Sequence, residues 1–479
     1  MRINPGLREL WGAGHSAPDS EWGRRCAKVF ETYAGPGTPP GAWSHIVNSD
    51  RMLGGAIWAA LDDAFYLPDG RNVGYAWHHG YWGLIDAWRR PKPEWWLAKQ
   101  IFSPVWFPVR QVGWSPGLTQ VDLPVENRYS FTDLSEVRFV WSLSDKRGRG
   151  RVAAPPGETG TLSIPLPPGT EAGSELTVEA RTEEGEPIAV AVVTLGERPS
   201  QALPEPQAGP PSVTREGDRA IVAGEGFTLV LDTRTGTLDV SDPRHAAPMT
   251  AFPTVHLTRF DFGDLGGPNA LPYAVLPDPA TRVVEGVEVR EAGRGLELTV
   301  AERFDGMQGS ATWALDRCGV GTLSYDYTYT GEPIQAREIG VRMLLRPECD
   351  VLTWRRWSEW GVYPEDSLSR TEGRAEARRT REYDPTEERR CPTWPWALDQ
   401  TELGTSDFRS VKLNVWEAAL LAPGGEGLRL HANADAHVRA CLDPAGVKLH
   451  LLSECRLGPV PVNPGHRLRG RFVVTLVHR

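Results

Sequence analysis

Residues 53–97 carry the side chains of this chain best suited to chemistry. An apolar strand-like run, Gly54-Gly55-Ala56-Ile57-Trp58, leads to two adjacent carboxylates, Asp62 and Asp63. A loop rich in Trp, Tyr and His follows, with Trp77, His78, His79 and Trp82. An aromatic face covers the apolar C–H side of a pyranose, and carboxylates accept hydrogen bonds from its hydroxyls. The pattern therefore predicts a sugar-binding surface at the end of a buried strand. It does not predict a hydrolytic pair. Retaining glycoside hydrolysis needs two carboxylates about 5–5.5 Å apart across the scissile bond. Neighbouring residues in extended backbone point to opposite sides, so Asp62 and Asp63 do not face one another across a sugar. Asp62 suits a bond to loop backbone or a ligand contact. His78 and His79 suit either the wall of a sugar pocket or a solvated loop, and they lack the HExxH spacing of a helical zinc site.

Few elements are available to hold these residues. Ser20 can cap a helix with Trp22, Cys26, Val29, Phe30 and Tyr33 at helical spacing. A second short helix is expected from Pro93, covering Trp95, Trp96, Leu97 and Ile101. Between them Gly54–Trp58 is the one convincing strand. Residues 103–198 change character. Strands are expected at Thr119–Leu123, Val137–Leu143, Gly160–Ile164, Leu176–Arg181 and Ile188–Leu195, with Asp145-Lys146-Arg147-Gly148 as a turn. That spacing predicts an immunoglobulin-like sandwich. Residues 199–212 lie in a Pro-rich stretch that reads as a semi-rigid linker. From 213 to 479 the pattern is again β, with Phe227–Leu231, Thr237–Val240, Leu296–Val300, Leu323–Tyr329, Val411–Val415 and Phe472–Val477 as the clearest strands. One large β-sandwich is expected there.

The bulk composition excludes several functions. The chain has 479 residues, 40% hydrophobic and 24% charged, with a net charge of −10. That acidity, without a basic stripe interleaved with aromatics, argues against nucleic acid. No stretch reaches the roughly 18 apolar residues of a membrane span, and MRINPGLREL has no apolar signal core. The six cysteines include no CxxC pair, so a zinc site is not expected and reduced thiols in a cytoplasm are. Neither Gly12-Ala13-Gly14 nor Gly224-Glu225-Gly226 makes a phosphate loop. Most of the 19 Trp fill cores, with Trp58, Trp77 and Trp82 as candidates for sugar stacking.

The run at 53–97 also resembles the end of the catalytic barrel in glycoside hydrolase family 2, the β-galactosidase group. Gly54, Gly55, Trp58 and Asp62 match one block of that pattern, and Gly83, Leu84, Arg89, Pro91 and Pro93 match a second. Ala59 and Ala60 replace an Asp and a Trp of the family, and Trp82 stands where many members carry Asn. Further matches follow in order: FTLVLDTRTGTL, Leu352-Thr353-Trp354 with Tyr363-Pro364-Glu365-Asp366, and Thr401-Glu402-Leu403-Gly404 with Asp407-Phe408-Arg409. The resemblance implies a mainly β chain. Residues 1–102 would be a partial (β/α)8 barrel remnant, 103–198 an immunoglobulin-like sandwich, and 213–479 a large β-sandwich, the galactose mutarotase-like supersandwich. It implies a retaining β-galactosidase-like glycosidase acting on terminal β-galactosides or related β-glycosides. Trp58 would contact the sugar, joined by Asp62, His78, His79 and Trp82. A closed barrel needs roughly 250 residues. Both catalytic glutamates and the magnesium ligands of the family lie upstream of the matched strand, so this chain is expected to carry no catalytic or metal-binding residue. Magnesium and sodium would belong to the intact enzyme. The expected partners are the saccharide, a separate N-terminal half and a further copy in a homo-oligomer. The rival reading is a non-catalytic carbohydrate-binding or complementing structural subunit.

Overall fold

The computed structural model describes residues 2–3, 51, 56–57, 60–61, 84–85, 93–198, 200–260, 273–357, 370–377, 408 and 411–478. It is mainly β. Near the N-terminus β1 (Arg2–Ile3) lies parallel to β2 (Ala56–Ile57), and Leu61 bridges Ile85 in parallel. Of the strand expected at Gly54–Trp58, the described part is Ala56–Ile57, and it is paired. Helix α1 (Pro93–Ile101) begins at a proline, whose missing N–H is no loss in a first helical turn. It buries Ala98 and Ile101 while Trp95 stays exposed.

The next eight strands are β3 (Val105–Trp106), β4 (Gln111–Val112), β5 (Gln120–Asn127), β6 (Arg138–Leu143), β7 (Lys146–Gly150), β8 (Thr159–Pro165), β9 (Glu175–Arg181) and β10 (Pro187–Leu195). They form a three-stranded sheet β3-β5-β8 and a five-stranded sheet β4-β10-β9-β6-β7. Alternation decides which side is inside. Leu123, Val125, Leu162, Ile164, Leu176, Val178, Val193 and Leu195 are fully buried between the two sheets, and the residues between them face outward.

One strand here is not legible as a strand. β7 reads KRGRG, the composition of a turn. The turn itself is only Ser144-Asp145, with Ser144 at φ 52°. The glycines of β7 answer a packing demand. A Cβ on Gly148 would stand 2.3 Å from the Trp141 ring, and one on Gly150 would stand 2.3 Å from Leu162. Large side chains occupy the space that β7 leaves open. Gly148→Ala is therefore expected to destabilise the protein by about 1–3 kcal/mol, read as a shift of the urea midpoint. Gly113→Ala, which meets nothing within 4 Å, should stay within about 0.5 kcal/mol. Equal midpoints for the two variants would refute this account of β7.

Beyond residue 198 the Pro-rich stretch is tied down. Asp316 accepts from the backbone N–H groups of Gln207 (3.0 Å) and Ala208 (3.2 Å), and Asn433 accepts from that of Gln201 at 2.8 Å. A four-stranded meander follows, made of β11 (Ser212–Glu216), β12 (Arg219–Ala223), β13 (Thr228–Asp232) and β14 (Thr237–Leu238). The rest is one 13-stranded sheet. Its strands are β15 (Thr254–Phe260), β16 (Tyr273–Leu276), β17 (Val283–Ala292), β18 (Gly295–Phe304), β19 (Met307–Leu315), β20 (Val320–Tyr329), β21 (Ile334–Leu345), β22 (Val351–Arg356), β23 (Glu372–Glu376), β24 (Lys412–Leu421), β25 (Gly427–Asp443), β26 (Gly446–Val462) and β27 (Arg467–Val477). The main path runs β16-β15-β21-β26-β25-β27-β20-β19-β18-β17. β24 joins at β25, and β22 carries β23 beyond it. One apolar core unites the meander and the large sheet, with Val222, Leu229 and Leu231 of the former and Leu298, Trp313, Tyr327, Val341 and Leu451 of the latter.

Candidate functional site

All five residues expected to hold a sugar, Trp58, Asp62, His78, His79 and Trp82, lie outside the described residues. So do Ser358, Glu359 and Trp360 of the aromatic stretch after β22. Trp354 of that stretch is buried. Its ring carries the Lys412 ammonium at 4.1 Å and the Arg370 guanidinium at 5.1 Å, and its indole N–H donates to Arg370 O at 3.1 Å. Cation–π contact of this kind favours a packed aromatic.

The described residues assemble polar clusters that no local spacing announces. The first lies on the large sheet, on the face turned away from the core. Val255 and Leu257 of β15, Ile339 and Val341 of β21, Leu449 and Leu451 of β26, and Val438 and Ala440 of β25 all point into the core. Alternation then puts His256, Glu338, His450 and Arg439 on the opposite face of four adjacent strands. The register aligns them, with His256 facing Gly340, Glu338 facing Thr258 and His450 facing Arg439. His256 Nε2 lies 2.9 Å from Glu338 Oε2, and the Arg439 guanidinium donates to the same oxygen at 2.6 Å. A carboxylate so placed only accepts, so Nε2 of His256 carries the proton. The His256 and His450 rings are 4.5 Å apart at 58°. Neither Nδ1 has a hydrogen-bond partner.

Burial governs the charges here. It pushes the His256 pKa below the usual histidine value, against the pull of Glu338. It pushes His450 well below, helped by His256 and Arg439. A neutral histidine on a carboxylate is the pairing used in general acid–base catalysis. His256, however, is 0% exposed and Glu338 2%. The group suits a clamp across four strands more than a reaction centre.

Glu302 makes the second cluster. It accepts from Tyr327 Oη (2.6 Å), Thr254 Oγ1 (2.6 Å) and Arg282 Nε (2.5 Å). Arg282 in turn donates to Thr235 O at 3.2 Å and Gly236 O at 3.4 Å, tying the β13–β14 turn to the large sheet. Desolvation and the Glu302 charge hold the Tyr327 phenol well above its ordinary pKa.

A cavity of about 560 Å³ opens where the meander meets the ends of β24, β25 and β27. Phe227, Pro248, Leu476 and Val477 give it apolar walls, and Arg346, Glu348, Glu426 and His478 give it polar ones. Its size is that of a small-molecule site. Cys349 also lines it, but burial pushes that thiol up to about 12, so it stays protonated and unreactive. Among the described residues no group of three or more His, Cys, Asp or Glu is placed to hold a metal ion. Glu338 beside His256 already faces the Arg439 guanidinium, which would repel a cation.

A family model described as "Beta-galactosidase, domain 4" matches residues 123–196, most of the two-sheet sandwich. The match supports a β-galactosidase-like relationship. No curated protein matches the chain in sequence. Three solved structures are similar to parts of the chain. The first is YidC from Thermotoga maritima, 13% identical with a TM-score of 0.21, covering 56% of this chain and 51% of that one. A second is a protein described as an aldose 1-epimerase of Escherichia coli K12, 10% identical with a TM-score of 0.31, covering 56% and 100%. The third is a TPR-domain containing protein from Parabacteroides distasonis, 11% identical with a TM-score of 0.25, covering 74% and 54%. The chain spans about half the length of the first and third of these. At such scores the likenesses carry no argument, and the fold rests on the sheets described above.

Proposed function

We propose that this chain is the C-terminal part of a retaining β-galactosidase-like glycosidase of glycoside hydrolase family 2. It would act on terminal β-galactosides or related β-glycosides. The observation that carries this reading is the β-galactosidase domain match over residues 123–196, on strands that pack as a two-sheet sandwich and lead into a very large sheet. In this reading Trp58, Asp62, His78, His79 and Trp82 line the sugar pocket. Magnesium and sodium belong to the intact enzyme. The thiols of Cys318 and Cys349 fit a reducing cytoplasm.

The catalytic pair comes from elsewhere in this reading. Retention takes one carboxylic acid to protonate the leaving oxygen and one carboxylate to attack the anomeric carbon. The buried carboxylates described here are otherwise engaged. Glu302 holds three donors, Glu338 holds His256 and Arg439, Asp316 caps backbone N–H groups, and Asp242 binds Arg219 and Arg244. Freeing Glu302 or Glu338 would leave the buried Tyr327 or His256 unsatisfied.

The purified chain assayed with a chromogenic β-galactoside is therefore expected to show no turnover above background. Hydrolysis that survives removal of trace host enzyme would defeat the proposal. A second reading, saccharide binding without turnover, is favoured by the cavity beside Phe227 and Glu426. Calorimetric titration of the purified chain with galactosides tests it: binding that Glu426→Ala weakens supports this reading, and no binding, or binding that the variant leaves unchanged, counts against it.

A further inference from the structure

The edge strand β7 carries two exposed arginines on one side, Arg147 and Arg149, and the residue that follows the strand, Arg151, is a third exposed arginine at the next alternate position. Residues two apart on a strand stand about 6.7 Å from each other, so Arg147 and Arg149 leave the same side of β7 at that spacing, and Arg151 continues the alternation in the sequence. Nothing neutralises this row. Among the described residues these arginines have no ion pair and no hydrogen bond beyond the strand ladder. The nearest carboxylate in the row of Arg149 is Glu179, two strands away beyond Val140, and it is already bonded to Arg181. The chain as a whole carries −10, so an unpaired basic row runs against its overall charge.

The backbone of the same strand is also open. β7 pairs with β6 and with no other strand among the described residues. Leu143 and Lys146 close a two-residue hairpin, which turns the N–H and C=O groups of Lys146, Gly148 and Gly150 toward β6. Those of Arg147 and Arg149 face outward. The edge therefore offers hydrogen-bonding groups and positive charge at the same residues and with the same period. A second copy of β7 would be repelled, which is one way edge strands avoid self-association. A strand with carboxylates at alternate positions would meet both features at once, because its own i, i+2 spacing is the same.

We propose that β7 is a docking edge for an extended acidic segment of another polypeptide, which adds to the five-stranded sheet with its alternate Asp or Glu side chains against Arg147, Arg149 and Arg151. Gly148 and Gly150 let the strand lie close against Trp141 and Leu162, so its inner face is already filled. This inference does not depend on the glycosidase reading.

The test is fluorescence anisotropy with the full chain and a labelled ten-residue peptide of alternating Val and Glu. Binding is expected, and it should weaken at least about tenfold between 50 mM and 500 mM NaCl, as exposed charge pairs do. The triple variant Arg147→Glu, Arg149→Glu, Arg151→Glu should lose at least about tenfold for that peptide and gain affinity for an alternating Val-Lys peptide. The gain separates a changed surface from a failed fold. A Val-Glu peptide methylated on its backbone nitrogens should bind no better than a scrambled control, because strand addition uses those N–H groups. The proposal is overturned by no binding of the Val-Glu peptide, by unchanged affinity in the triple variant, or by binding of oligo-dT in its place, which would mark a phosphate-binding surface.

Discussion

Glu338→Ala is expected to lower the stability of the protein by about 3–5 kcal/mol, the cost of breaking a buried ion pair from one side. Glu338 is 2% exposed and holds two donors at once, His256 Nε2 and the Arg439 guanidinium. Its removal leaves Arg439 charged without its carboxylate and His256 without its acceptor, on a face where His450 already has an unpartnered Nδ1. Glu338→Gln keeps an acceptor and the volume, so it should cost less than the alanine variant. The check is chemical denaturation of both variants and the parent. A loss under about 1 kcal/mol for Glu338→Ala would mean that the cluster does not clamp β15, β21, β26 and β25 together.

Acid should unfold this protein from an unusually high pH. His256, His450, His245 and His431 all have pKa values held below the ordinary histidine value, with burial the largest cause in each. The unfolded chain then binds protons near pH 6.5 that the folded chain refuses. Stability rises with pH wherever the unfolded state binds more protons, so it is lost as pH falls below about 6.5. Each such histidine contributes a slope of up to about 1.4 kcal/mol per pH unit until its folded pKa is reached. The carboxylates act in a separate, lower window. Asp242, held well below the usual range by Arg244, gives stability that is fully present above about pH 4 and lost below it. Unfolding free energies measured from pH 8 to pH 5 should therefore fall steadily, and His450→Gln should flatten the curve. A profile that is level or rises toward pH 5 would contradict the account.

The sheets were legible where alternation is clean. Leu176–Arg181 and Ile188–Leu195 fold as β9 and β10 within a residue of the expected bounds, because every second residue is apolar and each strand has one wet face. β7 escaped because its inner positions are glycine, and its partner side chains come from β6 and β8. The site residues divide in the same way. The sugar-binding pattern at 53–97 is local and readable, but it lies outside the described residues. The cluster around Glu338 draws His256, Arg439 and His450 from strands far apart in the chain, and no spacing links them. What could have been read is that His256 and Thr258 share one side of TVHLTRF while Val255 and Leu257 share the other. That they are buried rather than solvated follows only from the assembled sheet.

The most direct measurement is covalent trapping. A retaining glycosidase attacked by a 2-deoxy-2-fluoro-β-galactoside with a good leaving group accumulates a glycosyl-enzyme on its nucleophilic carboxylate. Intact-mass analysis of this chain after such incubation should show no added mass. Co-incubation with a polypeptide that supplies the rest of the barrel should place the adduct on that polypeptide. A fluorogalactosyl adduct on an Asp or Glu of this chain would contradict the account.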